Sequence, residues 1–335
     1  MILDSNTMQS VEQKHPLVTV AMLAYQQKNI VASAAESVLD LEYPELDIIF
    51  LDDGSTDGTG DLLKMLAASE LAGRPGIRRV KVIADGVNAG IAAQAAKAAA
   101  AACGRLIVFC SGDDVQFPRR VDRIVQHWKS LGYPAHTAFH SSYQWMDSPA
   151  SRRQDACSVR GRLQPELFIA RHLHVNGCTS AYTIDLFRDF PSLIPGGMRE
   201  DSVVPLRALL MGGSIEYLDE PLALLRPGGV SSPLPGKQSS DVVLRRKLWD
   251  VVAMIQNLSD CFVAPTLSVR RRSALVALCC LMLFDCFEFD WLRDLEVPWL
   301  IKWFLLVSFA PVLLQAKLIK RVLMRTYFLA GRSFA

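Results

Sequence analysis

Two pairs of adjacent aspartates stand where apolar runs end. Ile48-Ile49-Phe50-Leu51 leads into Asp52-Asp53, and Leu106 to Cys110 leads through Ser111-Gly112 into Asp113-Asp114. Ionised carboxylates only accept hydrogen bonds and bind hard cations, so such a pair suits a divalent metal or a polyhydroxylated, nucleotide-like ligand. Magnesium and manganese prefer carboxylate oxygen, commonly one or two protein carboxylates completed by substrate phosphates. Asp113-Asp114 fits that role, with an Asp-rich turn as the plainer alternative. Asp52 and Asp53 fit a site where a ligand is read, and a solvated turn rich in Asp, Gly and Ser is the alternative there.

Carboxylates at these positions need strands to carry them. The four apolar residues before Asp52 do not alternate, as expected of a parallel strand buried on both faces. Gly54 permits a tight exit, Ser55 or Asp57 can cap the next helix, and Asp61 to Ala68 continues at helical spacing. The same pattern recurs along the chain. Val18 to Leu23 is a strand followed by a helix over Asn29 to Leu41. Val80 to Ile83 is a strand, and a loop with Asp85, Gly86, Asn88 and Gly90 leads to an alanine-rich helix, Ile91 to Cys103. Leu106 to Cys110 is a strand, and Pro118 opens a helix through Val121, Ile124, Val125 and Trp128. Strand and helix alternation predicts an α/β fold with a doubly wound, mostly parallel, Rossmann-like sheet, in which ligands bind beyond the carboxyl ends of the strands. No G-x-x-x-x-G-K-[ST] loop occurs, and Gly54, Gly58 and Gly60 do not follow G-x-G-x-x-G, which weakens ATPase and dinucleotide readings.

With 335 residues, half of them apolar, and a net charge of +2, the chain can bury a large core and does not suggest nucleic acid as a partner. Met1 to Pro16 is polar and lacks the apolar core of a secretory signal. Eight cysteines are scattered without C-x-x-C spacing, as in a reduced cytoplasmic protein.

An ordered set of motifs carries a family likeness: A-Y-Q-Q-K-N-I (24 to 30), S-V-L-D-L-E-Y-P (37 to 44), L-D-D-G-S-T-D-G-T (51 to 59), N-A-G (88 to 90), G-R-L-I-V-F-C-S-G-D-D (104 to 114) and R-E-D (199 to 201). Together these resemble the family 2 glycosyltransferases of GT-A fold, over roughly residues 17 to 231. The resemblance implies inverting transfer of a sugar from a nucleoside diphosphate donor to an acceptor hydroxyl. It implies that Asp52 and Asp53 meet the base and ribose, with Ala24 and Tyr25 lining that pocket, and that Asn88 and Gly90 close around the nucleotide. Asp113 and Asp114 would hold the diphosphate through Mn2+ or Mg2+, with Asp114 and Asp113 as metal ligands. Glu200-Asp201 matches the acidic pair that includes the catalytic base, with Asp201 preferred and Glu200 second. Val204, Leu206, Leu209 and Leu210 look helical, so these acids would open a helix. Two positions depart from the family pattern. Ser111 stands where Asp is frequent, and L-L-R-P-G-G-V-S-S (224 to 232) keeps Arg226 of an Arg-x-His signature without its histidine; His172 and His174 are not obvious substitutes.

Residues 134 to 200 are expected to recognise the acceptor, with His140, Tyr143, Gln144 and Trp145 on one run and Asn176 to Thr183 as a second candidate strand. Trp145 could stack on a sugar face or serve the core. Pro227 to Gly236 reads as a hinge, which divides the chain into a polar segment (1 to 16), a catalytic domain (17 to 231) and a C-terminal helical, basic appendage (232 to 335). Val242 to Asn257 is an amphipathic helix candidate. Ala274 to Phe284 is apolar but too short to cross a bilayer. Val297 to Ala316 is long enough, yet holds Lys302, Pro298 and Pro311. After Glu296 no acidic residue occurs, and Lys317 to Leu329 sets apolar against basic positions. That pattern fits attachment to an anionic membrane surface beside a glycan or lipid-linked acceptor, with the catalytic domain peripheral on the cytoplasmic, inner face of the cell membrane. The helices could instead pack on the catalytic domain or on a second copy of the chain, as in a homo-oligomer. The resulting expectation is a metal-dependent enzyme of bacterial-type surface polysaccharide synthesis; a non-catalytic sugar-nucleotide-binding platform is the rival.

Overall fold

A computed structural model describes residues 15–70, 74–153, 159–197, 199–227 and 240–286. The first half shows the expected alternation. Strands β1 (Val18–Ala24), β2 (Leu46–Asp52), β3 (Ile77–Ile83) and β4 (Leu106–Ser111) are joined by α1 (Val31–Leu39), α2 (Thr59–Glu70) and α3 (Ile91–Ala101). All pair in parallel, β1 lying between β2 and β4 and β2 against β3. The absence of apolar/polar alternation is explained by two covered faces. Val20, Met22, Ile48, Phe50 and Val108 bury on one side with α1, α2 and the next helix, α4 (Arg120–Ser130). Ala21, Ile49, Leu51, Ile107 and Phe109 bury on the other with α3 and the helices of the C-terminal half.

The second half is mixed in direction. After the two-residue strand β5 (Val115–Gln116) come β6 (Thr137–Trp145), β7 (Ser148–Arg153), α5 (Pro165–Ala170), a 3-10 turn at Gly177–Thr179, β8 (Ala181–Thr183), α6 (Asp185–Arg188), α7 (Glu200–Leu210) and β9 (Ser214–Leu225). The sheet runs β3-β2-β1-β4-β8-β6-β9-β5, with β7 paired to β6. β8 is antiparallel to β4 and β6, β6 is parallel to β9, and β9 is antiparallel to β5. Only Gly112, Asp113 and Asp114 separate β4 from β5, which stand at the two ends of the path β4-β8-β6-β9-β5. That half of the sheet therefore curls until its ends meet, and the acidic turn is the seam.

Of Asn176 to Thr183, only Ala181–Thr183 is strand. The hydroxyls of Thr179 and Ser180 donate back to the carbonyls of Asn176 (3.1 Å) and Gly177 (2.7 Å), which offers the backbone a turn instead of a ladder. The 12-residue β9 is not visible in the sequence, because Glu216, Asp219, Glu220 and Pro221 interrupt its apolar positions. Pro221 sits where the β6–β9 register shifts, the place where a strand tolerates a missing donor.

Two further helices, α8 (Ser240–Val263) and α9 (Val269–Cys286), pack on each other and on α7 and α5. Ala253, Met254, Cys261, Leu275, Leu278, Cys279 and Met282 join the same apolar cluster as α3 and α7. Arg207 of α7 and Asp260 of α8 form an ion pair at 2.7 Å with both side chains fully buried. Among the described residues no helix is long and apolar enough to cross a membrane. Most of the segments read above as polar N-terminus and hinge, together with Val297 to Ala316 and Lys317 to Leu329, lie outside the described residues.

Candidate active site

The carboxyl ends of β1, β2 and β4 meet at one edge, and each delivers a loop to it. Asp53 is buried, and its backbone N–H donates to the Ala24 carbonyl, tying the tips of β2 and β1 together at 2.9 Å. Its carboxylate accepts from the N–H groups of Ala89 (2.8 Å) and Gly90 (3.0 Å) and from Nε2 of Gln94 (2.6 Å). These donors belong to the N-terminus of α3, whose dipole favours a negative charge. Asp53 thereby holds the Asn88–Gly90 loop beside its own strand. Gly54, at φ +72°, allows the close approach, because a Cβ there would lie 2.7 Å from the Asn88 nitrogen.

Asp52 is bound differently. Its Oδ2 accepts from the Ser55 N–H at 3.1 Å, while the buried Oδ1 has no hydrogen-bond partner. Ser55, Asp57 and Thr59 accept from the N–H groups of Gln26, Lys28 and Gln27, which clamps the loop after β1 onto the loop after β2. Ala24 is buried under that clamp and the Tyr25 ring is exposed at its rim.

The second acidic pair lies across from these loops. Asp114 is 5% exposed; its Oδ1 accepts from the Arg226 N–H at 2.9 Å, and Arg226 Nε donates to the Asp113 carbonyl at 3.3 Å. β9 ends in Leu225, so the last pairing of the curled sheet brings Arg226 onto the acidic turn. Burial pushes the Asp114 carboxyl up to about 7, with the Asp113 charge adding to it, and burial also raises Asp113. Under the turn lies Arg120, fully buried, bonded to Gln116, to the Phe109 carbonyl (2.9 Å) and to the Ser180 carbonyl (3.3 Å). Its charge offsets part of the cost of ionising Asp114. A carboxylate pair whose ionisation is opposed by burial and mutual repulsion is matched to a cation, and two hard oxygen ligands are the protein's usual share of a magnesium or manganese site completed by phosphates. Among the described residues no group of three His, Cys, Asp or Glu side chains could hold a metal without such help.

The third pair opens α7. Glu200 and Asp201 are residues of intermediate exposure, yet Glu200 Oε2 and Asp201 Oδ1 are sealed from solvent and unpaired. Burial pushes both carboxyls up. The Asp201 charge adds to the effect on Glu200, whereas His174 and Arg199 pull Asp201 back towards ionisation. Pro205 contributes to the geometry of this turn. It has no N–H to donate to the carbonyl four residues earlier, and that carbonyl, of Asp201, accepts the Val175 N–H at 2.9 Å instead. The bond draws the segment before the 3-10 turn against the helix start. Gly177 then passes so close that a Cβ would meet Glu200 Oε1 at 3.0 Å. Its neighbour Cys178 stands within the field of Asp113 and Asp114, so this one turn connects the second acidic pair to the third.

The candidate residues of the sequence are thus found in two clusters: Ala24, Tyr25, Asp52, Asp53, Asn88 and Gly90 around the first loops, and Asp113, Asp114, Glu200 and Asp201 around the 3-10 turn. Gln94 and Arg120 join them without a sequence signal of their own, together with Arg199, the first residue of the R-E-D motif, and the Gly177-Cys178 turn, which lies in the stretch read as a candidate strand; His174, no obvious substitute ligand in the sequence, stands near Asp201. His140 is buried and neutral, its imidazole driven down to about 4 by burial and its Nε2 2.7 Å from the Val159 carbonyl.

Comparison with known proteins gives the chain a family and its fold a set of relatives. The model of the family "Glycosyl transferase family 2" matches residues 19–187. EpsE of Bacillus subtilis (strain 168), assigned as a glycosyltransferase, is 34% identical over 123 residues, 35% of this chain and 42% of its own. TuaG of the same organism, assigned as a glycosyltransferase of teichuronic acid biosynthesis, is 33% identical over 99 residues, 30% of this chain and 36% of its own. The matches span less than half the length of either relative. Among solved structures, S. aureus TarS 1-349 in complex with UDP superposes with a TM-score of 0.55 at 15% identity, covering 84% of this chain and 75% of that one. The same protein in complex with UDP-GlcNAc gives a TM-score of 0.53 at 14% identity, covering 90% and 79%. At such identity the likeness speaks for the fold alone.

Proposed function

The chain belongs to glycosyltransferase family 2, and from that premise we propose that it moves a sugar from a nucleoside diphosphate-sugar to an acceptor hydroxyl with inversion, in the assembly of a bacterial-type surface polysaccharide. The observation that carries this reading is the pair of buried acidic clusters, Asp113-Asp114 and Glu200-Asp201, joined by one 3-10 turn. An inverting transfer needs those two things: a stabiliser of the leaving diphosphate and a base on the other side of the anomeric carbon.

In this scheme the nucleotide lies on the loops after β1 and β2, with Ala24 and Tyr25 beside the base and Asp52 at the base and ribose. Asp53 acts there mainly through the Asn88–Gly90 loop that it holds. Asp113 and Asp114 bind Mn2+ or Mg2+ with the donor diphosphate; when bound, the cation offsets charge that grows on the diphosphate. Arg226 and Arg120 hold Asp114 in place. Asp201, whose ionisation His174 and Arg199 favour, accepts the acceptor's hydroxyl proton. As that bond breaks, the hydroxyl oxygen attacks the anomeric carbon from the face opposite the diphosphate, and the bond to the diphosphate oxygen breaks with its electron pair. Glu200, its carboxyl also raised by burial and by the Asp201 charge, stands beside it.

We place the catalytic unit at residues 17–231, buttressed by α8 and α9, and assign attachment to the anionic cytoplasmic face of a membrane to residues 297–329. A lipid-linked glycan would then be within reach as acceptor.

The test is calorimetric titration with UDP, GDP and dTDP, with and without Mn2+, on the wild type and Asp114→Ala. One nucleotide is expected to bind, more tightly with metal, and the metal effect is expected to vanish in the variant. Because the Asp114 carboxyl must lose its proton to take the cation, the metal-assisted affinity rises as pH increases through about 7. Failure of all three nucleotides to bind folded protein would refute the proposal.

A further inference from the structure

We infer that the partly exposed side chain of Trp145, backed by Tyr143, is the platform on which the acceptor's pyranose ring stacks, which makes Trp145 a specificity-determining residue for glycan acceptors. The inference rests on the glycosyltransferase reading and adds the chemistry of its second substrate.

The juxtaposition comes from register. Trp145 is the last residue of β6 and pairs with Leu225, the last residue of β9. Val115 of β5 pairs antiparallel with Leu224, so Asp114 falls opposite Leu225 in the next step of the same ladder, and the 2.9 Å bond from the Arg226 N–H to Asp114 Oδ1 closes that end. Asp114, Leu225 and Trp145 therefore form one row across three strands. Two strand spacings separate the ends of the row, about 10 Å. That is room for a metal-held diphosphate, the donor's anomeric carbon and an adjacent acceptor ring.

Side chains in such a row share a face, and the contacts agree. Tyr143, Trp145, Ala223, Leu225 and Cys178 form one small apolar cluster, separate from the two large cores of the protein. Cys178 is its link to the chemistry, because the preceding residue, Gly177, is the one packed against Glu200 and Asp201. The cluster thus adjoins the acidic turn through Leu225 and lies one residue along the chain from the glycine packed against Glu200 and Asp201. It lies beyond the acidic turn from the nucleotide loops, since β6 and β9 come after β4 and β8 in the sheet while Asp52 and Asp53 end β2. A ring bound here would be the acceptor's.

The indole is also held still. Tyr143 is 8% exposed, and its ring meets that of Trp145 edge-on, with centroids 5.5 Å apart and planes at 87°. Trp145 itself keeps partial exposure at the end of its strand. A fixed aromatic face suits a pyranose whose axial C–H groups form an apolar patch, while the ring's equatorial hydroxyls remain at its rim for the carboxylates and water. An open-chain polyol offers the hydroxyls without the face.

The experiment uses the full chain with Mn2+ and saturating nucleotide. Saturation-transfer NMR and titration are run with methyl β-glucoside, methyl β-galactoside and methyl N-acetyl-β-glucosaminide, and with sorbitol as the open-chain control, on the wild type, Trp145→Ala and Trp145→Phe. At least one glycoside is expected to bind through the C–H groups of one ring face, about tenfold more weakly in Trp145→Ala and within about threefold of wild type in Trp145→Phe. Nucleotide affinity and melting temperature should stay unchanged in the phenylalanine variant. The inference is overturned if no glycoside binds, if sorbitol competes equally, or if the alanine variant binds the glycosides as the wild type does. Loss of the glycosyltransferase reading itself would register separately, as absence of nucleotide binding in the wild type.

Discussion

At the scale of single residues, the site depends on which carboxylates are left without partners. Asp53 is saturated by three donors, whereas Asp201 Oδ1 and Glu200 Oε2 have none, and it is to this pair on α7 that we assign proton transfer. Replacing Asp201 by Asn keeps size and removes the base; turnover should fall by about 10²- to 10⁴-fold while nucleotide affinity is kept. The sign of the pH dependence comes from the raised carboxyls. The base works only when ionised, so activity is low at acidic pH and climbs as pH passes through the pair's titration, above the ordinary carboxylate range. Initial rates from pH 5 to 9 would show this limb in the wild type, and a limb at ordinary carboxylate pH would contradict the role given to burial. The two aspartate pairs are legible in the sequence because each follows an apolar run, and Glu200-Asp201 is legible only through the resemblance of R-E-D (199 to 201) to the family motif. Gln94 and Arg226 are not legible as supports, since they reach Asp53 and Asp114 across 41 and 112 positions. Only the fold brings them to the acids.

At the scale of elements, what the sequence shows depends on how locally an element is specified. β1 to β4 and α1 to α4 announce themselves, since buried apolar runs bounded by Gly, Asp and Pro have few other readings. β9 and β5 do not, because their partners decide them: a two-residue strand has no pattern, and a strand carrying three acids and a proline is stabilised by β6 alongside it. The position of α8 is also hidden. Amphipathic spacing predicts the helix but not its neighbour, which is chosen by the buried Arg207–Asp260 pair. Asp260 also accepts from Gln256 Nε2 at 3.0 Å, and Arg207 reaches the carbonyls of Leu186 (3.0 Å) and Pro191 (2.8 Å). Breaking such a pair strands a charge in a dry core. Arg207→Met should destabilise the protein by about 3–5 kcal/mol in urea unfolding, and adding Asp260→Leu should return most of that loss. Equal loss in the single and double variants would mean that the guanidinium's bonds to Leu186 and Pro191, not its charge, fasten the two helices.

At the scale of the whole molecule, the question is where attachment resides. α8 and α9 cannot be a loosely tethered anchor, because they complete the core that α3 and α7 begin. Two features remain for a membrane. One is the chain after Glu296, with Lys302, Lys317, Lys320, Arg321, Arg325 and Arg332 and no acid. The other is the outer face of α8, where Leu248, Ile255 and Phe262 are exposed at intervals of seven residues, a straight apolar stripe along a helix. Their physics differs. Attraction of the basic segment to anionic lipid is electrostatic and falls as salt shortens the Debye length from about 10 Å at 0.1 M to about 3 Å at 1 M, while apolar burial is insensitive to salt or strengthened by it. A chain ending at Cys286 separates them, since it keeps the stripe and the packing of α8 and α9 on α7 and α5. We expect the full chain to sediment with phosphatidylserine-containing vesicles at low salt and to be released at high salt. The chain ending at Cys286 should stay in solution while still binding nucleotide. If the shortened chain sediments as well and resists salt, the α8 stripe is the membrane-facing surface, and the active-site edge must be oriented relative to α8 rather than to the basic tail.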